Sequence, residues 1–387
     1  MKKKISVLLS ACVICALALS ACGSSKTTTS STAAGSAKAA GSATAASTST
    51  YKHSFTVTTP LADSHSAVKY INDAFKEISD KTGGRITGQV YASSQLASGQ
   101  MATAMDMTVK GTIDMQCAGN SIYGPYIKDY ELLGIPFLFQ NHAAADKVLY
   151  NKDVYDYYSK KCEETNLHLM GYMENAWMVY TNNKHQMKVP SDLKGLKMRC
   201  GDGDLVEAAM MNQGASVVHM SLTDLYTSLQ QGVVDGQDNG IAGAVVANKL
   251  YEVQKYITNV EFTYSPFVVV MNNNLWKQIP ESDQKIMTDI FQKYMKEQVD
   301  YNRSLIEPNL QKIKDFGDDV YTPTADELKT WQAQMGADSD AVKKVLEKNY
   351  NQDFVKTLLS VAKDANSSAS TTTTKAAASS AASSAKK

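Results

Sequence analysis

Imidazole is the side chain most often recruited as a metal ligand or general base near neutral pH, so the histidines come first. His53, His65, His142, His168, His185 and His219 stand in no His-Glu-x-x-His or Cys-x-x-Cys-type spacing, and a surface or hydrogen-bonded role is the expectation for each. Gly201-Asp202-Gly203-Asp204 has part of a calcium loop's chemistry, but the third acid and the glutamate at the twelfth position are missing. There is no G-x-S-x-G elbow, no Walker loop, and no G-x-G-x-x-G after a strand. Local motifs therefore support no enzyme, no metal and no cofactor, although carboxylate pairs assembled from distant segments are invisible at this level. The 39 basic residues are matched by 39 acidic ones, so no basic field argues for nucleic acid.

Cysteine chemistry is more informative. Lys2, Lys3 and Lys4 precede an apolar run over 5–19 that is too short to span a bilayer and reads as a secretory signal. The run ends in Leu19-Ser20-Ala21-Cys22-Gly23, which resembles the bacterial lipobox, where cleavage before the cysteine leaves a thiol to be acylated. On this reading 1–21 is a signal peptide and Cys22 carries lipid, anchoring an extracytoplasmic protein to the outer face of the cytoplasmic membrane. The Ser, Thr, Ala and Gly of 24–50 cannot bury enough apolar surface to offset ordering entropy, so 22–50 is expected to be a tether and 364–387 a similar disordered tail. Cys12 and Cys15 leave with the signal. Cys117, Cys162 and Cys200 are too few and too scattered for a disulfide framework and are expected to be buried thiols.

The body from Tyr51 is long enough for two domains, and its short apolar strands alternate with amphipathic helices in the rhythm of α/β layers. Phe55-Thr56-Val57 reads as a strand. Val68, Ile71, Phe75 and Ile78 recur at helical spacing, and Gly83-Gly84 stops that helix before a strand over 86–91. A helix over 101–109 and a strand over 113–117 repeat the unit. A second α/β portion begins near Met170, with strands at 178–180 and 196–199 and helices at 205–211 and 222–230. Val268-Val269-Val270 reads as a strand feeding back. The helical pattern over 282–307 contains no Gly or Pro; at ~1.5 Å per residue it would be roughly 39 Å long, enough to lie across two domains.

One stretch carries most of the information, from Leu193-Lys194-Gly195-Leu196-Lys197-Met198-Arg199 to Gly232-Val233-Val234-Asp235-Gly236-Gln237-Asp238-Asn239. It is joined, in order and spacing, by Thr82-Gly83-Gly84-Arg85, Gln95-Leu96, Gly111-Thr112-Ile113-Asp114-Met115, Gly134-Ile135-Pro136-Phe137-Leu138-Phe139 and Leu250-Tyr251-Glu252-Val253-Gln254-Lys255-Tyr256-Ile257-Thr258. Over about residues 51–360 the chain resembles the substrate-binding proteins of tripartite ATP-independent periplasmic (TRAP) transporters, the dicarboxylate- and sialic-acid-binding family. The resemblance implies a two-domain periplasmic-binding-protein-like α/β fold with hinge strands and a long domain-spanning helix. Domain I would comprise 51–176 plus 265–304 and domain II 177–264 plus 305–363, closing over a small organic acid that is passed to TRAP membrane subunits.

The resemblance also implies a site. Arg199 matches the arginine that forms a bidentate salt bridge with the substrate carboxylate, which suits a planar guanidinium with two parallel donors. Asn239 matches the asparagine that bonds the same carboxylate, although Asn239-Gly240 alone reads as a turn. Leu222 and Phe267 fall at pocket-wall positions, His65 at the entry of the first helix, Asn120 after a strand and Asp202 after Arg199. Many members carry a second arginine after a Glu-Asn-Gly-x segment. Here Glu174-Asn175-Ala176-Trp177 leads to Met178, so one cationic donor is lost and a ligand with a single carboxylate is favoured. Trp177 and Phe267 would offer aromatic faces to its remainder. Two other roles stay open: an extracytoplasmic sensor presenting ligand to a receptor, and a lipid-anchored hydrolase with a clustered acid/base pair in the cleft.

Overall fold

The computed structural model describes residues 49–384 except position 202. The expected signal peptide, Cys22, nearly all of the linker and Asp202 lie outside the described residues. The body opens on β1 (His53–Thr58), α1 (Ser66–Lys81) and β2 (Ile86–Tyr91). Spacing of three and four residues puts Val68, Ile71, Phe75 and Ile78 on one stripe of α1, and all four are buried. Next come α2 (Met101–Lys110), β3 (Met115–Gly119), α3 (His142–Leu149) and α4 (Lys152–Glu164).

The chain then enters β4 (Leu167–Asn182), a strand of 16 residues, and builds a second α/β unit. That unit is β5 (Lys197–Cys200), α5 (Asp204–Asn212), β6 (Ser216–His219), α6 (Leu222–Gln230) and β7 (Gly236–Gly240). It returns through β8 (Tyr256–Asn272), of 17 residues. There follow a single turn α7 (Asn273–Trp276), α8 (Glu281–Ser304), α9 (Ile306–Phe316), β9 (Asp319–Tyr321), α10 (Ala325–Met335), α11 (Asp340–Asn349) and α12 (Gln352–Ser384). No described helix is long and apolar enough to cross a membrane.

The nine strands among the described residues join one sheet in the order β2-β1-β3-β8-β4-β7-β5-β6, with β9 on β8. β1, β2 and β3 are parallel, as are β5, β6 and β7, while β4 and β8 run antiparallel to each other between the two sets. The α/β fold is thus two-lobed, and β4 and β8 are shared by both lobes. In the first lobe α1 and α8 bury Phe55, Phe75 and Phe291 against one face of the sheet. Each such side chain contributes ~1.5–3 kcal/mol. Cys117, Cys162 and Cys200 are all buried.

Between the lobes the β4–β8 ladder shifts register between Glu174 and Ala176. Pro266, opposite Glu174, has no N–H to give. Helix α8 supplies what the ladder lacks. Gln298 accepts the Glu174 N–H at 2.8 Å and donates to its carbonyl at 2.9 Å, and Asn302 donates to the carbonyls of Glu174 and Asn175 at 2.9 and 3.1 Å. Two amides one helical turn apart thereby satisfy the backbone of the bulge.

Three sequence expectations need correction. The long helix does not run unbroken to 307, because Pro308 in the first turn of α9 cannot donate to Ser304 and crowds its carbonyl, so the helix breaks at Leu305. The body does not stop at 363. Asn366 on α12 donates to Leu138 O and accepts from Gln140 N, each at 3.0 Å, and α12 is helical into the tail expected to be disordered. Finally, Asn239-Gly240 is no turn but part of β7, inside the sheet.

Candidate ligand-binding site

Because β5, β6 and β7 are parallel, their carboxyl ends meet on one edge, the place where α/β sheets hold ligands. Arg199 stands at that edge, 8% exposed. Its Nε and Nη2 donate to the carbonyl of Met220, just past β6, at 3.2 and 3.1 Å, and Nη1 lies 3.6 Å from Asp238 Oδ1. Asp238 also accepts the Gly201 N–H at 3.2 Å. Burial lifts its carboxyl to about 6, against the pull of Arg199 and of that N–H. A guanidinium has five N–H donors. Nε and one N–H of Nη2 are thus occupied, while at 3.6 Å the Nη1 contact with Asp238 is an ion pair beyond hydrogen-bond length, so N–H groups on both terminal nitrogens are without a hydrogen-bond partner among the described residues.

The chain holds three arginines, and the other two are neutralised. Arg85 forms a fork with Asp283 at 2.9 and 3.0 Å. Arg303 forms one with Asp146 at 2.8 and 2.7 Å and adds a bond from Nε to Glu174. Neither is available to replace a second ligand arginine at Met178.

The expected site residues fall into three groups. Arg199, Asn239, Met178 and Leu222 gather in the second lobe: Met178 pairs with Gly240 beside Asn239, and Leu222 lies two residues past the Met220 carbonyl, 37% exposed. His65, Phe267 and Asn120 gather in the first. The His65 ring meets Phe267 edge-on at 5.4 Å, and Phe267 pairs with Gly119, next to Asn120. His65 caps α1 by accepting the Ala67 N–H on Nδ1, and burial depresses its pKa to about 4, so its ring stays neutral with a proton on Nε2. Asn120 donates to Tyr130 O and accepts from Ser265 Oγ, both at 3.0 Å.

Glu174 and Trp177 belong to a third, interior group. The Trp177 indole, 5% exposed, donates to His142 Nδ1 at 3.0 Å and lines a hollow with Phe139, Gln140 and Gln332 that Arg199 does not border. Glu174 is bound by Arg303 and Tyr264, with burial lifting its pKa to about 7. No hydrogen bond, ion pair or ring contact among the described residues links the Arg199 group to the other two. Sequence reasoning missed Met220, whose contribution is a backbone carbonyl that no side-chain pattern reports, and Arg303, whose partners lie 129 and 157 residues away.

Comparison with known proteins decides what such an arrangement belongs to. Residues 56–348 match the model of the bacterial extracellular solute-binding proteins, family 7. The chain belongs to that family. Among family members, the Escherichia coli 2,3-diketo-L-gulonate-binding periplasmic protein YiaO is 33% identical over 264 residues, which is 67% of this chain and 76% of that one. The Rhodobacter capsulatus C4-dicarboxylate-binding periplasmic protein DctP is 28% identical over 67% of this chain and 77% of its own length. A crystal structure of a TRAP periplasmic solute-binding protein from Ochrobactrum anthropi, its C-terminus bound in the ligand-binding pocket, is similar with a TM-score of 0.74 and 25% identity. That likeness covers 82% of this chain and 97% of the other. As a family 7, TRAP-type member the chain is a solute-binding protein in a family of binders, not of enzymes.

Proposed function

We propose that this protein captures a small hydroxylated monocarboxylate of the sugar-acid class outside the cytoplasmic membrane and delivers it to the membrane subunits of a TRAP transporter. The observation that carries the reading is that Arg199 alone of three arginines is not held in a carboxylate fork. One available guanidinium suits one carboxylate, with Asn239 as the second donor to the same group. Met178, where a second cation would stand, is neutral. The Nε2 proton of His65 and the amide of Asn120 give the first lobe polar groups for hydroxyls, with Phe267 as apolar wall. The diketo-gulonate-binding relative, whose ligand is a monocarboxylate, supports this class over the C4-dicarboxylates.

The two lobes in this reading are hinged on β4 and β8. Closure would exclude water from the carboxylate and strengthen its pairing with Arg199. Lipid on Cys22 and the low-complexity linker would keep the binding body near its transporter. The test is a thermal-shift series with L-gulonate, D-glucuronate, succinate and the neutral L-gulono-1,4-lactone. A sugar acid at a hundred times its Kd stabilises by ~2.7 kcal/mol, and the lactone should give no shift. A lactone shift equal to that of the acids, or succinate as the strongest ligand, would overturn the assignment.

A further inference from the structure

Behind Asn239 runs a chain of buried polar side chains that binding itself does not require. Gln254, 2% exposed, lies between a turn over 250–253 and β8. Its Nε2 donates to the carbonyls of Val253 at 3.0 Å and Asp235 at 3.4 Å. Carbonyls only accept, so this end of the amide is nitrogen, and Gln254 Oε1 accepts the Thr181 hydroxyl at 2.7 Å. A hydroxyl has one proton. With it given to Gln254, Thr181 Oγ1 can only accept, and Gln237 Nε2 donates to it at 2.8 Å. Gln237 Oε1 is thereby turned toward Asn239, which donates from Nδ2. Thr181 and Gln237 are fully buried, at 0% exposure. Gln237 pairs with Thr181 on β4 and with Arg199 on β5 and is two residues from Asn239, so all four share one face of the sheet.

We propose that the relay Gln254–Thr181–Gln237 sets the sense of the Asn239 amide and so holds it as a donor to the ligand carboxylate. This rests on the reading that Asn239 contacts that carboxylate. An asparagine amide has two nearly isosteric ends, and a carboxylate accepts only, so an oxygen presented to it repels where a nitrogen binds. Reversing Asn239 would set its oxygen against Gln237 Oε1, two buried acceptors with no proton between them. Each link upstream is fixed by the one before it, back to two backbone carbonyls that cannot change character. Gln237, Thr181 and Gln254 are positioning residues: they need not touch the ligand.

The first measurement needs no ligand. In 15N-labelled protein the side-chain amide protons of Asn239 and Gln237 should exchange slowly in the wild type and in Thr181→Ser, which keeps the hydroxyl, and rapidly in Thr181→Val. Equal exchange of the Asn239 amide in the wild type and Thr181→Val overturns the relay. The second is a double-mutant cycle by calorimetry with L-gulonate. Thr181→Val should weaken binding about tenfold, Thr181→Ser should recover most of that, and Thr181→Val should have no further effect in an Asn239→Ala background. An equal loss in both backgrounds means a general structural role and overturns the proposal. Wild-type affinity in Asn239→Ala alone instead removes the reading of Asn239 as a ligand residue, while the exchange result still decides whether the relay exists.

Discussion

Asp238 is drawn in two directions: burial favours its protonated form, while Arg199 and the Gly201 N–H favour its charge, and the balance falls at about 6. Its folded pKa therefore exceeds the unfolded value of ~3.9. The stability it contributes is fully present below ~3.9 and is lost as pH rises through about 6. Glu174, lifted to about 7, acts in the same sense. His65, His142 and His168, depressed by burial to about 4, act in the opposite one: their contribution is present above ~6.5 and lost as pH falls through about 4. For binding, a neutral Asp238 leaves the charge of Arg199 to the ligand, whereas an ionised one competes for it. Affinity for a sugar acid should be several-fold higher at pH 5 than at pH 7.5, and Asp238→Asn should flatten that slope in calorimetry at the two pH values. A wild-type affinity that rises with pH would contradict this. Arg199 and Asn239 could be proposed from the sequence because their neighbouring segments resemble a family. The fork-bound state of Arg85 and Arg303, which makes Arg199 distinctive, was not, since their partners come from remote elements.

Strand β7 shows why local reading failed at the element that carries Asn239. Glycine and asparagine in sequence signal a turn, yet Gly236 and Gly240 serve close approach to β4. A Cβ at Gly240 would stand 1.9 Å from Ala176 Cβ, and one at Gly236 would stand 2.3 Å from Thr181 O. Gly240→Ala should therefore cost ~1–3 kcal/mol in urea melts, by overpacking, even though alanine is the smallest possible addition. A change under ~0.5 kcal/mol would show that β7 can move away from β4. The βαβ units of both lobes were readable from period and punctuation, and β2 and α6 fall on the expected residues. The two long strands were not. Only short apolar fragments of β4 and β8 stood out, because three register shifts interrupt their ladder and charged or amide residues occupy the stretch that α8 stitches.

At the scale of the whole molecule, these devices are what the proposed closure over a ligand would use. One sheet runs through both lobes, β4 and β8 are the only strands among the described residues common to the two, and the irregular stretch at Glu174 is braced from helix α8. In the proposed function the polar groups offered to a ligand stand on both sides: Arg199 and Asn239 on one lobe, His65 and Asn120 on the other. Bringing them together would bury the ligand's carboxylate beside Arg199, so loss of that one side chain should leave a charge without its partner. The most direct test is calorimetry of L-gulonate binding to the wild type and to Arg199→Ala, with circular dichroism to confirm that the variant is folded. The loss expected is ~2–5 kcal/mol of binding free energy. A folded Arg199→Ala that binds with unchanged affinity would contradict carboxylate capture by Arg199.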